Sequence, residues 1–203
     1  MKFVENNLSK TDIYRSAVFG VVWGIIEITA GNALHLAKIP FRGFLLSFIA
    51  AIILVTAKGI IQYKGSLIVI GIICATLKTA TTGAFLINPI AAILLESFVA
   101  ELIFLFLRIT PFSSIVAGSA VLLYTFLHSL AAQLFFFGVD IITFYDKTFS
   151  TLFSNIESHD FSIAIVVLSI YGILHIFVGG IVGLTGYRFS KRTLKHIEQL
   201  QNG

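Results

Sequence analysis

The stretch from Ser16 to Gly43 reads SAVFGVVWGIIEITAGNALHLAKIPFRG. Up to Ala30 it is an apolar run with small residues at Ser16, Gly20 and Gly24 and one acid, Glu27. It then turns polar, with Asn32, His35, Lys38 and Arg42. At 100° per residue, Ser16, Gly20, Gly24, Glu27 and Gly31 fall within a sector of about 80°. Small residues four apart let a second helix backbone approach closely, and in lipid that packing drives helix association. The stretch therefore predicts a membrane-crossing helix with a packing face, followed by a polar loop.

The rest of the chain repeats the first half of this reading. Of its 203 residues, 57% are hydrophobic and 12% charged, where a soluble domain carries about 25% charged residues. The apolar runs are near the ~20 residues a helix needs to cross a bilayer. They do not alternate as the strands of a membrane barrel would. Six spans are expected, at residues 13–30, 44–57, 66–82, 85–107, 112–137 and 161–187, with a basic, helical tail at 188–200. The expected fold is all-α: a polytopic membrane protein, a single domain over 1–203 made of six transmembrane helices. Pro89 and Pro111 fall at span starts, where proline is tolerated. Lys2 and Lys10 before an apolar run resemble a signal peptide, but the long polar lead and Glu27 argue against cleavage.

The formal charge is +4, and the basic residues sit at span ends, so the excess reads as topology rather than nucleic-acid binding. With the N-terminus inside, Lys2, Lys10, Arg15, Lys58, Lys64, Arg108, Arg188, Lys191, Arg192 and Lys195 fall on one side. Only Lys38, Arg42, Lys78 and Lys147 fall on the other. The bias places both termini in the cytoplasm of a multi-pass protein of the cell membrane. The 138–160 connection holds Asp140, Asp146, Glu157 and Asp160 and belongs outside. Phe144, Phe149 and Phe153 make it a candidate amphipathic segment over the outer mouth. Cys74 is the single cysteine, which excludes a disulfide framework and a thiolate metal cluster.

Topology brings polar side chains of four helices to the outer level: Glu27, then Lys78, Thr79, Thr81 and Thr82, then Asn88, then Gln133. Ionisable groups inside spans are costly unless paired or hydrated, so these are functional candidates. With Asn32, His35 and Lys38 above them, they outline an outward-facing pocket for a small solute. Alternatively, Glu27 and Lys78 form a structural ion pair with no ligand. Trp23 and the phenylalanines are candidates for stacking on an aromatic ligand. Deeper, Glu96 is placed to pair with His128 or His175 as a proton relay, against the plainer reading of histidines hydrogen-bonded within the bundle. Glu101, about 140° away from Glu96 on the same helix, approaches the inner surface or meets Arg108. No metal site is expected, since HxH, HExxH and clustered carboxylates are missing from the sequence. Nor is there a GxxxxGK[ST] loop or a GxSxG elbow, so the chain is expected neither to hydrolyse nucleotide nor to be an enzyme.

Six spans, a short chain, a small-residue face low on the first helix, and the segments GNALHLAKIPFRG and TGAFLINPIAAILLE together resemble the substrate-binding S components of energy-coupling factor vitamin transporters. In that family a small-residue motif on the first helix contacts a transmembrane coupling protein. Here Ser16, Gly20 and Gly24 occupy the matching positions, in place of alanines. The resemblance implies a vitamin or cofactor precursor bound near the outer face, under the loop between the first two helices. It also implies a coupling protein with two ATPase subunits, so that ATP is used only by partners. The alternatives are a stand-alone proton-coupled carrier built on Glu96, and a non-catalytic membrane assembly protein.

Overall fold

The structure is a computed structural model. It describes residues 9–38, 41–82, 87–138, 143–148 and 163–202. Six long helices carry the fold: α1 (Lys10–Leu36), α2 (Arg42–Ile60), α3 (Ser66–Thr82), α4 (Ile87–Phe106), α5 (Pro111–Phe137) and α7 (Ile163–Asn202). A short helix, α6, spans residues 143–148. Among the described residues there is no strand. Five of the helices are long and apolar enough to cross a membrane. The sixth, α3, has 17 residues and spans about 25 Å, at the short end of what a bilayer crossing needs. The chain is thus an all-helical bundle of the polytopic membrane type.

Local signals set the helix ends. Ser9 caps α1: its hydroxyl accepts from the Asp12 N–H at 3.1 Å, while the Asp12 carboxylate accepts from the Ser9 N–H at 3.3 Å. This reciprocal box satisfies two N–H groups that the first turn leaves open. Thr110 and Ser113 form the same kind of box on α5, with Pro111 at the first helical position. Lys38 and Phe41 adopt left-handed backbone, at φ 50° and 61°, and frame the α1–α2 connection. α1 therefore continues to Leu36, well past the expected end at Ala30. Asn32 and His35 stand on its last turns rather than in a loop, because no proline comes before Pro40 and Ala33, Leu34 and Leu36 favour helix, which outweighs Gly31.

Long helices consecutive in the chain run in opposite directions, while some packed neighbours are parallel, as the pairings show. Gly20 meets Ile73 and Gly24 meets Leu77, so α1 and α3 are parallel. Gly186 meets Val55 and Gly59 meets Ser190, so α2 and α7 are parallel. Contacts of Asn88 with His128 and of Glu96 with Thr125 set α4 antiparallel to α5. α1, α3, α4, α5 and α7 follow one another around the bundle. α2 fills the middle and packs on all five. Its residues Ala50, Ala51, Leu54, Val55 and Ala57 are almost wholly buried. One end of the bundle, the terminal end, holds the start of α1, the far part of α7 and the α2–α3 and α4–α5 connections. The opposite end, the far end, holds the other three.

α7 has 40 residues, about 60 Å, twice the ~30 Å hydrocarbon core. Its last part, with exposed Arg188, Lys191, Arg192 and Lys195, is the expected basic tail, continuous with the last span. α5 and α7 approach most closely. A Cβ added at Gly118 would run into the Gly179 carbonyl, and one at Gly183 into the Ser114 carbonyl. Only glycine permits that distance, so the glycine run of the last span packs within the bundle.

Candidate functional site

The polar side chains expected at one level do not converge on one point. They form separate pairs around the far end. Lys78 Nζ donates to Glu27 Oε2 at 3.2 Å and to the Glu27 main-chain oxygen at 2.7 Å. Both side chains are about nine-tenths buried. A Cβ at Gly31 would sit 3.0 Å from that Nζ, so a bare glycine makes room for the ammonium. The Arg42 guanidinium bonds His35 Nδ1 at the exposed mouth, across the α1–α2 connection. Gln133 accepts from the Tyr145 hydroxyl of α6. Asp146, also on α6, accepts from the Ala164 N–H at 3.0 Å and holds the start of α7.

Asn32 and Lys38 are exposed on α1 and just beyond it. The side chain of Thr82 and the residues Phe149 and Phe153 lie outside the described residues; within the candidate amphipathic segment, Phe144 is exposed. Trp23 is wholly buried in the core, which removes it as a stacking surface for a ligand.

The deepest polar group joins α2, α4 and α5. The Ser47 hydroxyl donates to Glu96 Oε1. Thr125 Oγ1 lies 2.9 Å from the same oxygen, 2.8 Å from Ser47 Oγ and 3.1 Å from the Val121 carbonyl oxygen. Glu96, Ser47 and Thr125 are all buried. Toward the far end, Asn88 Oδ1 accepts from His128 Nε2 at 2.6 Å, and Tyr124 bonds His128 Nδ1 at 3.1 Å. The expected pairing of Glu96 with a histidine is not formed. His128 is taken up by Asn88 and Tyr124, and His175 bonds the Tyr171 carbonyl oxygen at 2.8 Å. In the sequence Ser47 and Thr125 read only as single hydroxyls in apolar runs. Their signal was that each interrupts a span, FLLSFIA and LLYTFLH, where an apolar residue would pack at no polar cost.

An aromatic cluster stands beside this network, also toward the far end. The His175 ring packs edge-on to Phe44 at 4.7 Å and lies 5.3 Å from Phe126. Tyr171 contacts Phe126 at 5.6 Å and Phe41 at 5.3 Å. Such rings offer apolar faces edged by polar atoms.

The terminal end is built differently. Lys58 Nζ donates to Glu101 Oε1 at 2.6 Å and to the Tyr63 carbonyl oxygen at 2.8 Å. Glu101 accepts from the Gly65 and Leu67 N–H groups at 2.8 and 3.1 Å. Its carboxylate thus caps the start of α3, where the helix dipole favours negative charge. Glu101 neither reaches the surface nor meets Arg108, and Lys58 is a buried structural cation rather than a surface topology charge.

The small face of α1 is also spent inside the molecule. Ser16, Gly20 and Gly24 are buried. A Cβ at Gly20 would lie 2.8 Å from Ile73 Cβ, and one at Gly24 would lie 2.8 Å from Leu77 Cδ1. The expected docking face is therefore covered by α3. The periodicity identified a packing face correctly, but periodicity does not say which helix takes it.

Among the described residues, no group of three His, Cys, Asp or Glu side chains is arranged to hold a metal ion. Comparison of the chain with known protein families, with characterised proteins and with solved structures finds no match.

Proposed function

We propose that the chain is the solute-binding membrane subunit of an importer of the energy-coupling factor type. In this reading both termini face the cytoplasm of a cell-membrane protein, and the far end opens outside. A vitamin or cofactor precursor binds there, and a coupling protein with two ATPases supplies the energy. One observation carries the reading: hydrogen-bonded polar side chains and an aromatic cluster lie together towards the far half of the interior. The far half holds the Ser47–Glu96–Thr125 group, the Asn88–His128–Tyr124 chain and the Phe44–Phe126–Tyr171–His175 cluster. The terminal half is closed by apolar packing around α2 and by the Lys58–Glu101 pair. Intramembrane polar groups mark solute sites, and a bundle with such groups on one side of a sealed half suits capture rather than free passage.

Because α3 covers Ser16, Gly20 and Gly24, a coupling protein would have to meet another surface of the chain. The test is affinity purification of the full chain from its native membranes in mild detergent. Co-purification of a membrane coupling protein together with two ATPase subunits is expected. Recovery of the chain without them overturns the reading.

A further inference from the structure

Three hydroxyl or carboxyl groups in the middle of the bundle hold more oxygen than hydrogen. We propose that Ser47, Glu96 and Thr125 form a proton-binding site, in which the resting bundle carries one proton on the Glu96 carboxyl group. The site stands independently of the solute-capture reading.

The geometry is a closed triangle. Ser47 Oγ contacts Glu96 Oε1, Thr125 Oγ1 contacts Ser47 Oγ at 2.8 Å, and Thr125 Oγ1 contacts Glu96 Oε1 at 2.9 Å. The Val121 carbonyl oxygen adds a fourth oxygen at 3.1 Å from Thr125 Oγ1. A hydroxyl carries one hydrogen and an ionised carboxylate none. With Glu96 ionised, two protons must therefore serve four oxygen–oxygen contacts. One added proton on the carboxyl gives each of the three side chains a hydrogen to donate. It also removes a charge from a group only 4% exposed, where an unpaired carboxylate is expensive.

Among the described residues, the hydrogen-bond partners of Glu96 are Ser47 and Thr125, and the charged and titratable groups of the helices around it have partners elsewhere. On α2, Arg42 bonds His35 and Lys58 bonds Glu101. On α3, Lys78 bonds Glu27 across to α1, and Cys74 is buried in apolar packing. On α4 itself, Glu101 is held by Lys58, Gly65 and Leu67. On α5, Tyr124 and His128 bond each other and His128 bonds Asn88. On α7, which packs on α2 and α5, His175 bonds the Tyr171 carbonyl oxygen.

The side of the site nearest a titratable group is the far one. His128 sits one turn from Thr125, and its partner Asn88 is exposed. Gly43 lies beside the same column: a Cβ there would find Thr125 Cγ2 at 3.9 Å as its single neighbour within 4 Å. The step is simple proton exchange. A proton from water adds to the Glu96 carboxylate, whose charge goes from −1 to 0; on release the proton returns to water. Because the triangle joins α2, α4 and α5, release leaves a buried charge short of donors and favours their separation and the entry of water.

The experiment is infrared difference spectroscopy of the purified full chain in lipid nanodiscs over a pH titration, with thermal melts in sodium and in choline buffers of equal ionic strength. The expected result is a protonated-carboxyl C=O band at neutral pH. The band is lost in Glu96→Gln and kept in Glu27→Gln, and the melts are insensitive to sodium. The Gln variant should also lose the fall in melting temperature that the wild type shows as pH is raised. Absence of a Glu96-dependent band overturns the proposal. A melting temperature that rises with sodium also overturns it, making the site one for a metal cation. Should Glu96→Gln not fold, Thr125→Val must shift the band in the otherwise wild-type chain, and an unshifted band overturns the proposal equally.

Discussion

Among the described residues there are two buried lysine–glutamate pairs, one towards each end, and they are not equivalent. Lys58–Glu101 at the terminal end is 0% and 1% exposed, with a separation of 2.6 Å. Main-chain groups of Tyr63, Gly65 and Leu67 take up further valences of both partners. Lys78–Glu27 at the far end is 10% and 8% exposed, with a separation of 3.2 Å, and the lysine makes its closer contact to a main-chain oxygen. A buried pair repays its desolvation only with close geometry and further hydrogen bonds. The first pair meets that condition: it ties α2, the α2–α3 connection, α3 and α4 into one unit. The second bridges α1 and α3. The difference teaches which end is fixed. The terminal end is locked by a charge network that includes main-chain groups, while the far pair joins α1 to α3.

The comparison breaks most visibly at Glu101. Glu101→Ala leaves the Lys58 ammonium buried without its carboxylate and strips the start of α3 of its cap. Removing one partner of such a pair costs about 3–5 kcal/mol. The measured outcome should be a large loss of folded protein in detergent, read by thermal or denaturant unfolding. A loss below 1 kcal/mol, as at a surface pair, would remove the distinction between the two ends.

The double variant Lys58→Met with Glu101→Leu sharpens the same point. It removes both charges together, so no ion is left stranded, and replacing a buried pair by apolar groups is often neutral or better. What remains is the loss of the acceptors for Gly65 and Leu67, comparable to losing a helix cap at about 0.5–2 kcal/mol. The double variant should therefore be more stable than Glu101→Ala alone. Equal losses would show that the cap, not the stranded charge, sets the cost.

What the sequence revealed follows the range of each signal. Helix positions were legible because apolar length and capping residues such as Ser9 and Thr110 act within a few residues. The Glu27–Lys78 pair was legible as one alternative, since topology brings both to one level. The Lys58–Glu101 pair was not. Lys58 reads as a topology lysine at a span end, and nothing local shows that the 61–65 connection folds over it. The small face of α1 was legible as a packing face, but its partner α3 is a matter of tertiary arrangement. Glu96 reads from the sequence as an acid inside a span, costly unless paired or hydrated. Its histidine partners were inferred from shared depth alone, and hydrogen bonding depends on facing as well as depth. Asn88 and Tyr124 already hold His128, which leaves Glu96 to the hydroxyls of Ser47 and Thr125.

The smallest effect is expected at the far pair, and it is the most informative about function. Glu27→Gln removes one charge but keeps a carbonyl oxygen in the side-chain position that faces Lys78. The lysine also retains its 2.7 Å bond to the Glu27 main-chain oxygen, so the ammonium is not left without an acceptor. Only the charge-assisted part of one 3.2 Å contact is lost. The expected cost is about 0.5–1.5 kcal/mol, the range of a single hydrogen bond, against about 3–5 kcal/mol for Glu101→Ala. The check is to measure both variants in the same detergent and by the same unfolding transition. If Glu27→Gln costs as much as Glu101→Ala, the far end is locked as firmly as the terminal end, and an opening confined to the far end loses its physical basis. If it costs little, the α1–α3 seam at that end depends on the close approach of Gly20 and Gly24 to Ile73 and Leu77.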